Sequence, residues 1–347
     1  MTDKTHSNYL AVRPEWLARR HEEPIDLNLP IVDAHHHLWD RPGWRYLFDE
    51  YLADIAGCGH NITASVFMQC QAMYRADGPE ALRVVGETEF VNGVAAMSAS
   101  GRYGLTKICA GIVGHANLLI GEQVAGVLES HLKAGGGRFR GIRHITVWDA
   151  DTTLMNPLSA GPPGLLRDTT FRAGFSRLAP LNLSFDAWLF HPQISELTDL
   201  ARAFPQTTII LNHAGGVVGI GAYAGRRDEV FKNWSRAIRD LARCENVNVK
   251  LGGLGMRING FGFEGAEAPP ASKQLAMAWQ PYIETCIEAF GTNRCMFESN
   301  FPVDKGSYGY GLAWNAFKRL TRDVSKDERI ALFSGTAERV YGLSRQF

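Results

Sequence analysis

Apolar, β-branched runs alternate with helix-period stretches along most of this chain, and the alternation is regular enough to count. Runs of the first kind fall at residues 31–37, 62–70, 108–113, 141–147, 183–190, 207–213, 247–251 and 294–300. Helical spacing of apolar positions marks 122–133, 193–204, 228–244 and 280–290 between them. Eight strands, each followed by helical sequence, predict an α/β protein folded as a single (β/α)8 TIM barrel. An open doubly wound sheet would leave units over and would carry Gly-x-Gly-x-x-Gly after its first strand, which this chain lacks. On that frame, residues 1–29 are an N-terminal extension to a barrel domain of residues 30–347. Segments 149–164 and 256–273 are long, Gly/Pro-bearing loops after strands four and seven. Loops after barrel strands lie on the catalytic face, so both are lid candidates.

Composition narrows the partners more than it names a reaction. The 347 residues are 45% hydrophobic and 21% charged, ample for a large core. Lys+Arg and Asp+Glu balance at 36 each, so nothing draws the chain to nucleic acid or to an anionic membrane. No apolar run approaches the ~18 residues needed to span a bilayer. Residues 1–6 hold no hydrophobic signal core, and a cytoplasmic location is expected. Cys58, Cys70, Cys109, Cys244, Cys286 and Cys295 are scattered without a Cys-x-x-Cys pair and read as free thiols. The expected partner is a small-molecule substrate. A homodimer, the commonest closed assembly, is the expectation for self-association.

Candidate chemistry begins at the end of strand one, in Asp33-Ala34-His35-His36-His37. Side chains alternate faces along a strand, so His35 and His37 share one face and His36 points to the helix layer. Barrel enzymes gather catalytic groups at the C-terminal ends of their strands. The other strand ends contribute Gln69 and Gln71 with Tyr74 and Arg75 in the following loop, then Arg143 and His144, His191, His213, Lys250, and finally Glu298 and Asn300. Each has a plainer reading as well. A lone strand-end histidine is as readily a hydrogen-bonding residue as a ligand, which leaves His191 open. His213 is the stronger candidate, because Gly215 and Gly216 beside it allow close approach. Arg143 suits a substrate carboxylate. Lys250 could bridge two metals only if carboxylated, and is otherwise a buried strand residue. Trp39, Trp44, Tyr46 and Tyr74 serve equally as pocket lining or as packing.

Three segments together resemble the amidohydrolase superfamily, and within it the branch of sugar-lactone and pyrone-dicarboxylate lactonases. They are Asp33-Ala34-His35-His36-His37-Leu38-Trp39-Asp40, Asn212-His213-Ala214-Gly215-Gly216, and Arg294-Cys295-Met296-Phe297-Glu298-Ser299-Asn300-Phe301-Pro302. The closing stretch 334–341 also looks like that family's last helix. The resemblance implies that the strand-one histidine pair and a late histidine surround the site, with one or two divalent metals in some members. It further implies an acid at the end of strand eight, in a Gly-Ser-Asp-Trp-Pro-like turn, which takes the proton from the attacking water. Here Asn300 stands in the acid's place. An amide carbonyl accepts a hydrogen bond but cannot carry a proton away. Two substitutes lie close in sequence: Glu298, on the same face as Asn300 by strand parity, and Asp304 in the loop that follows.

The leading expectation is a hydrolase that opens a lactone of a small anionic substrate. His35, His37 and His213 would bind a metal or polarise the carbonyl, and Glu298 or Asp304 would activate water. Arg143, Tyr74, Gln71 and His191 would hold the substrate. Zn²⁺ or Mn²⁺ suits the donors, with metal-independent action the near-equal alternative. Two other readings differ in kind: a decarboxylase or hydratase of an aromatic-derived acid on the same barrel, and a non-catalytic binding protein that has lost its acid.

Overall fold

The computed structural model describes residues 9–156 and 160–343. The first eight residues, the centre of the first lid candidate (157–159) and the last four residues lie outside the described residues. Among the described residues ten strands are formed: β1 (Ile31–His36), β2 (Trp39–Arg41), β3 (Trp44–Tyr46), β4 (Ile62–Met68), β5 (Lys107–Gly114), β6 (Phe139–Ile142), β7 (Ser184–Ala187), β8 (Ile209–Leu211), β9 (Val247–Leu251) and β10 (Cys295–Phe297). Eight of them build one parallel sheet in the order β1-β4-β5-β6-β7-β8-β9-β10. The sheet closes just beyond its last strand. Asn300 N–H donates to His35 O at 2.9 Å, and His37 N–H donates to Phe301 O at 2.8 Å. The result is the expected (β/α)8 barrel.

Helices follow the strands, among them Phe48–Cys58, Val85–Ala99, Val124–Ala134, Ile194–Ala203, Arg227–Leu241, Ser272–Phe290 and Tyr310–Leu320. Their apolar stripes pack on the outward residues of the sheet and form the larger core. A second core fills the barrel itself, where Val32, Ala34, Val66, Met68, Ile210 and Met296 meet Tyr341 from the C-terminal end. Among these apolar side chains sits a buried ion pair, Lys250 Nζ to Asp186 Oδ1 at 2.8 Å, joined by Asn212 and the Tyr341 hydroxyl. Lys250 is thereby a structural cation.

Two departures from the sequence pattern shape the site. Strands β6, β7, β8 and β10 are shorter than their apolar runs. After Ile142 the regular pairing ends, and alongside the backbone bond of Thr146 N–H to Trp188 O at 3.1 Å a side chain holds the segment: Gln193 donates to Thr146 O at 2.7 Å and accepts from Trp148 N–H at 3.0 Å. The short hairpin β2–β3, which no periodicity marks, stands directly after the histidine cluster. Residues before β1 run along the barrel and tie down the segment after β9. Trp16 Nε1 donates to Ala266 O at 2.9 Å, and Glu22 accepts from Ser272 N–H at 2.8 Å.

Candidate active site

His35, at the end of β1, and His37, one step past it, turn their rings inward, while His36 turns away and bonds Ser65 Oγ at 3.0 Å. His37 Nδ1 donates to Met68 O at 2.8 Å. His35 Nδ1 lies 2.9 Å from Glu298 Oε2, and His213 Nδ1 lies 2.7 Å from Glu298 Oε1. The same Oε1 accepts His213 N–H at 3.0 Å. A carboxylate can only accept, so His213 Nδ1 carries the proton and its Nε2 a lone pair; Glu298 Oε2 makes no hydrogen bond among the described residues, so its approach to His35 Nδ1 does not fix the His35 tautomer. His35 Nε2 and His37 Nε2 stand 3.1 Å apart. Burial, reinforced by Lys250 next to His35 and by Arg143 next to His37, holds both imidazoles well below their usual pKa. Burial also lowers His213, with Glu298 opposing the shift.

This arrangement fits a divalent cation. His37 donates through Nδ1, so its Nε2 carries a lone pair, and His35 Nε2 stands 3.1 Å away, close enough for the two to share either one proton or one cation. The separation is close to the roughly 3.3 Å edge of a tetrahedron with zinc–nitrogen bonds of about 2.05 Å. Donor atoms of His35, His213 and Glu298 also fall within 4.8 Å of one another. Glu298 Oε1, however, already accepts the ring and backbone N–H groups of His213, and Lys250 Nζ sits 3.5 Å from His35 Nδ1. A cation is therefore favoured on the Nε2 side, with Glu298 behind the ligands fixing their orientation.

Arg143 follows β6 and is pinned against the end of β4. Its Nε donates to Gln69 Oε1 at 3.1 Å and its Nη2 to Gln69 O. The remaining Nη1 reaches to 3.4 Å from His35 Nε2, beside the histidine pair. Asn300 has φ 55°, a left-handed conformation that Asn tolerates better than most residues. Its Nδ2 donates to Asp304 Oδ1 at 2.9 Å, which leaves the amide carbonyl for other partners. Asp304 also accepts Gly255 N–H at 2.9 Å and the Tyr308 hydroxyl. Burial pushes its carboxyl up to about 7.

Above these residues lies a cavity of about 750 Å³, counting its open mouth. His37, His213, Arg143, Gln69, Gln71 and Asn300 reach its wall, with Trp188 and Phe190 from the strand-five end. Both lid candidates contribute: Leu154 and Asn156 from the first, Met256 and Ile258 from the second. No Asp or Glu lines it among the described residues. Several residues singled out from the sequence stand elsewhere. Glu298 and His35 lie beneath the floor, and Asp304 sits behind Asn300. Tyr74 is outside the wall, so neither Tyr74 nor Asp304 reaches a substrate directly. His191 accepts Val218 N–H at 3.3 Å and packs on Tyr223, a structural position that burial marks with a pKa near 4. His144 likewise accepts Leu118 N–H at 3.2 Å. Alternation does not carry through β10, because the strand ends at Phe297 and the chain turns at Asn300. Tyr9 and Arg41 also line the wall. Neither has a local sequence signal, since one lies in the N-terminal segment and the other in the unpredicted hairpin.

An inward ring of histidines over a buried carboxylate, at the C-terminal mouth of a parallel barrel, defines an enzyme of the amidohydrolase class. The chain belongs to the amidohydrolase family, which it matches over residues 32–343. It is 32% identical to the uncharacterized protein y4mH of Sinorhizobium fredii, over 90% of this chain and 99% of that one. It is 25% identical to an L-fucono-1,5-lactonase of Burkholderia multivorans, over 90% and 96%. A zinc-bound amidohydrolase structure from Burkholderia multivorans superimposes with a TM-score of 0.67 at 23% identity, covering 90% of this chain and 99% of that one.

Proposed function

We propose that this amidohydrolase opens the ring of a small anionic lactone. The observation that carries the reading is the wall of the cavity: two arginines, two histidines and amides, without a carboxylate, around a buried histidine–glutamate pair. Such a wall attracts a negatively charged substrate and stabilises negative charge that develops on a carbonyl oxygen. The likeness to an L-fucono-1,5-lactonase supports ring opening as the reaction.

The missing strand-eight acid is replaced in this reading by His213. Its Nε2 faces the cavity, and Glu298 on Nδ1 stabilises the imidazolium formed when the ring takes a proton. Water attacks the lactone carbonyl as His213 Nε2 accepts its proton. Arg143 Nη1 donates to the oxyanion. As the ring C–O bond breaks, His213 returns that proton to the leaving alkoxide, and the product is a hydroxy acid. His35 and His37 would hold a divalent cation through Nε2, which when bound supplies a Lewis acid beside the carbonyl oxygen. Lactones need less activation than amides, because an alkoxide leaves more readily than an amide anion.

The test pairs metal content with turnover for His37→Gln and His213→Gln, using a lactone panel followed by acid release. His37→Gln is expected to lose bound zinc, and His213→Gln to keep it while turnover falls about 10²–10⁴-fold. Loss of metal without loss of turnover in His213→Gln would overturn the assignment of the base. Release of carbon dioxide from a carboxylated aromatic, with no lactone opened, would replace hydrolysis by decarboxylation.

A further inference from the structure

Arg41 ends β2 and takes part in no bond-making or bond-breaking step of the proposed ring opening. Its guanidinium carbon stacks 4.1 Å from the centre of the Trp39 ring and 5.7 Å from that of Tyr9. Tyr9 in turn packs on Trp44 at 5.4 Å, so the N-terminal segment and the hairpin hold the guanidinium between aromatic faces. Nη2 donates to Cys70 O at 2.8 Å. Nη1 is buried and has no hydrogen-bond partner among the described residues. No carboxylate there pairs with Arg41, and none lines the cavity that Arg41 faces. Aromatic stacking tolerates the charge of a guanidinium but leaves its in-plane N–H groups free. A buried, unfilled N–H costs free energy that an anionic ligand would recover.

Arg41 is also a separate cation from the one beside the histidine pair. Trp39 carries the His37 ring at 5.5 Å and the Arg41 guanidinium at 4.1 Å, whereas Arg143 reaches His35 directly. The same cavity wall carries the apolar side chains of Ile145, Val147 and Phe190. We infer that Arg41 anchors a carboxylate of the substrate beside Trp39, while Arg143 serves the reacting carbonyl. The preferred substrates are then lactones that carry a ring carboxylate, and neutral sugar lactones are poor ones. A single free Nη1 beside an Nη2 already shared with Cys70 suits a planar carboxylate better than a dianionic phosphate, which needs more donors. The substrate class rests on the hydrolase reading, whereas the anion subsite does not.

Two measurements separate these claims. Turnover of the γ-lactone of α-hydroxyglutarate is compared with that of its carboxamide, in the wild type, Arg41→Met and Arg41→Lys. Binding of open-chain α-hydroxyglutarate is followed in parallel by calorimetry. Thermal melts confirm folding, and the methionine stem keeps the contact with Trp39. The wild type is expected to favour the carboxylate lactone at least tenfold in kcat/KM, through KM. Arg41→Met should abolish that preference and weaken α-hydroxyglutarate about 10–100-fold, with partial recovery in Arg41→Lys. If α-hydroxyglutarate binds and depends on Arg41 while neither lactone is opened, the subsite stands and the reaction reading falls. Equal preference in wild type and Arg41→Met, or no binding of α-hydroxyglutarate by the wild type at millimolar concentration, would overturn the subsite.

Discussion

Restoring the family's strand-eight acid by Asn300→Asp should damage this protein unless Asp304 changes with it. The Asn300 amide donates to Asp304 Oδ1 at 2.9 Å, and Asp304 is fully buried with no cation in contact. A carboxylate in place of the amide loses that charged hydrogen bond, which contributes about 1.5–3 kcal/mol. It also sets two negative charges about 3 Å apart, worth about 5 kcal/mol of repulsion at an effective dielectric constant of 20. The pair avoids most of this by keeping one proton. Asp304 is already pushed up to about 7, so in both proteins one proton is held near pH 6. The two diverge above pH 7. A folded-state pKa raised above the unfolded value gives stability that is present at low pH and lost as pH rises through it. In the wild type the loss ends near 7, whereas in the variant it continues at about 1.4 kcal/mol per pH unit. At pH 8.5 the deficit is about 2–4 kcal/mol, or roughly 3–6 °C in Tm for a chain of this length. It should shrink towards pH 6. Adding Asp304→Asn puts an amide back between the positions and should recover most of the loss. Melting curves at pH 6, 7 and 8.5 decide the matter. Equal Tm for Asn300→Asp and wild type at pH 8.5, or a deficit that does not change with pH, would refute the reasoning.

Glu298→Gln removes the charge that orients His213 and lies 2.9 Å from His35 Nδ1; zinc affinity should fall about 10–100-fold, measured by chelator competition, and an unchanged affinity would show that Glu298 does not orient the ligands. Gly253→Ala adds a methyl 2.3 Å from His213 Nδ1 at a residue with φ +63°, so kcat should fall at least about tenfold although no polar group is removed; full activity would mean that the ring is free to shift. Buried histidines set the acid limit. His60 and His131 are held near 4 by burial, so each contributes stability that is complete above about 6.5 and lost as pH falls towards 4, up to about 3 kcal/mol apiece. Glu87 and Asp304, raised to about 7, oppose this in the same range, but His191, His144 and His36 add to it. Tm should therefore drop between pH 6.5 and 4.5, less steeply in His131→Gln, and a flat profile would contradict it.

The eight-strand count and the shared face of His35 and His37 were legible in the sequence because both depend on local periodicity: alternation along one strand, and strand followed by helix. Glu298 could be singled out as an inward acid, and Asn300 as the departure from the family turn. The roles of their neighbours could not be. His213 and Glu298 are 85 residues apart and meet only because the barrel closes, at a distance that leaves the carboxylate no direct path to the cavity. Asp304 reaches back to Asn300 because the chain turns at a left-handed residue, where strand parity no longer counts. His191 shares its strand-end position with the catalytic candidates, yet the loop geometry gives it to Val218. Tyr9 and Arg41 enter the wall from an N-terminal segment and a two-stranded hairpin, elements whose place is decided by packing on the barrel rather than by any repeat. Short-range alternation fixes which way a side chain faces. What it faces depends on long-range closure and on loops, and only the tertiary structure decides that.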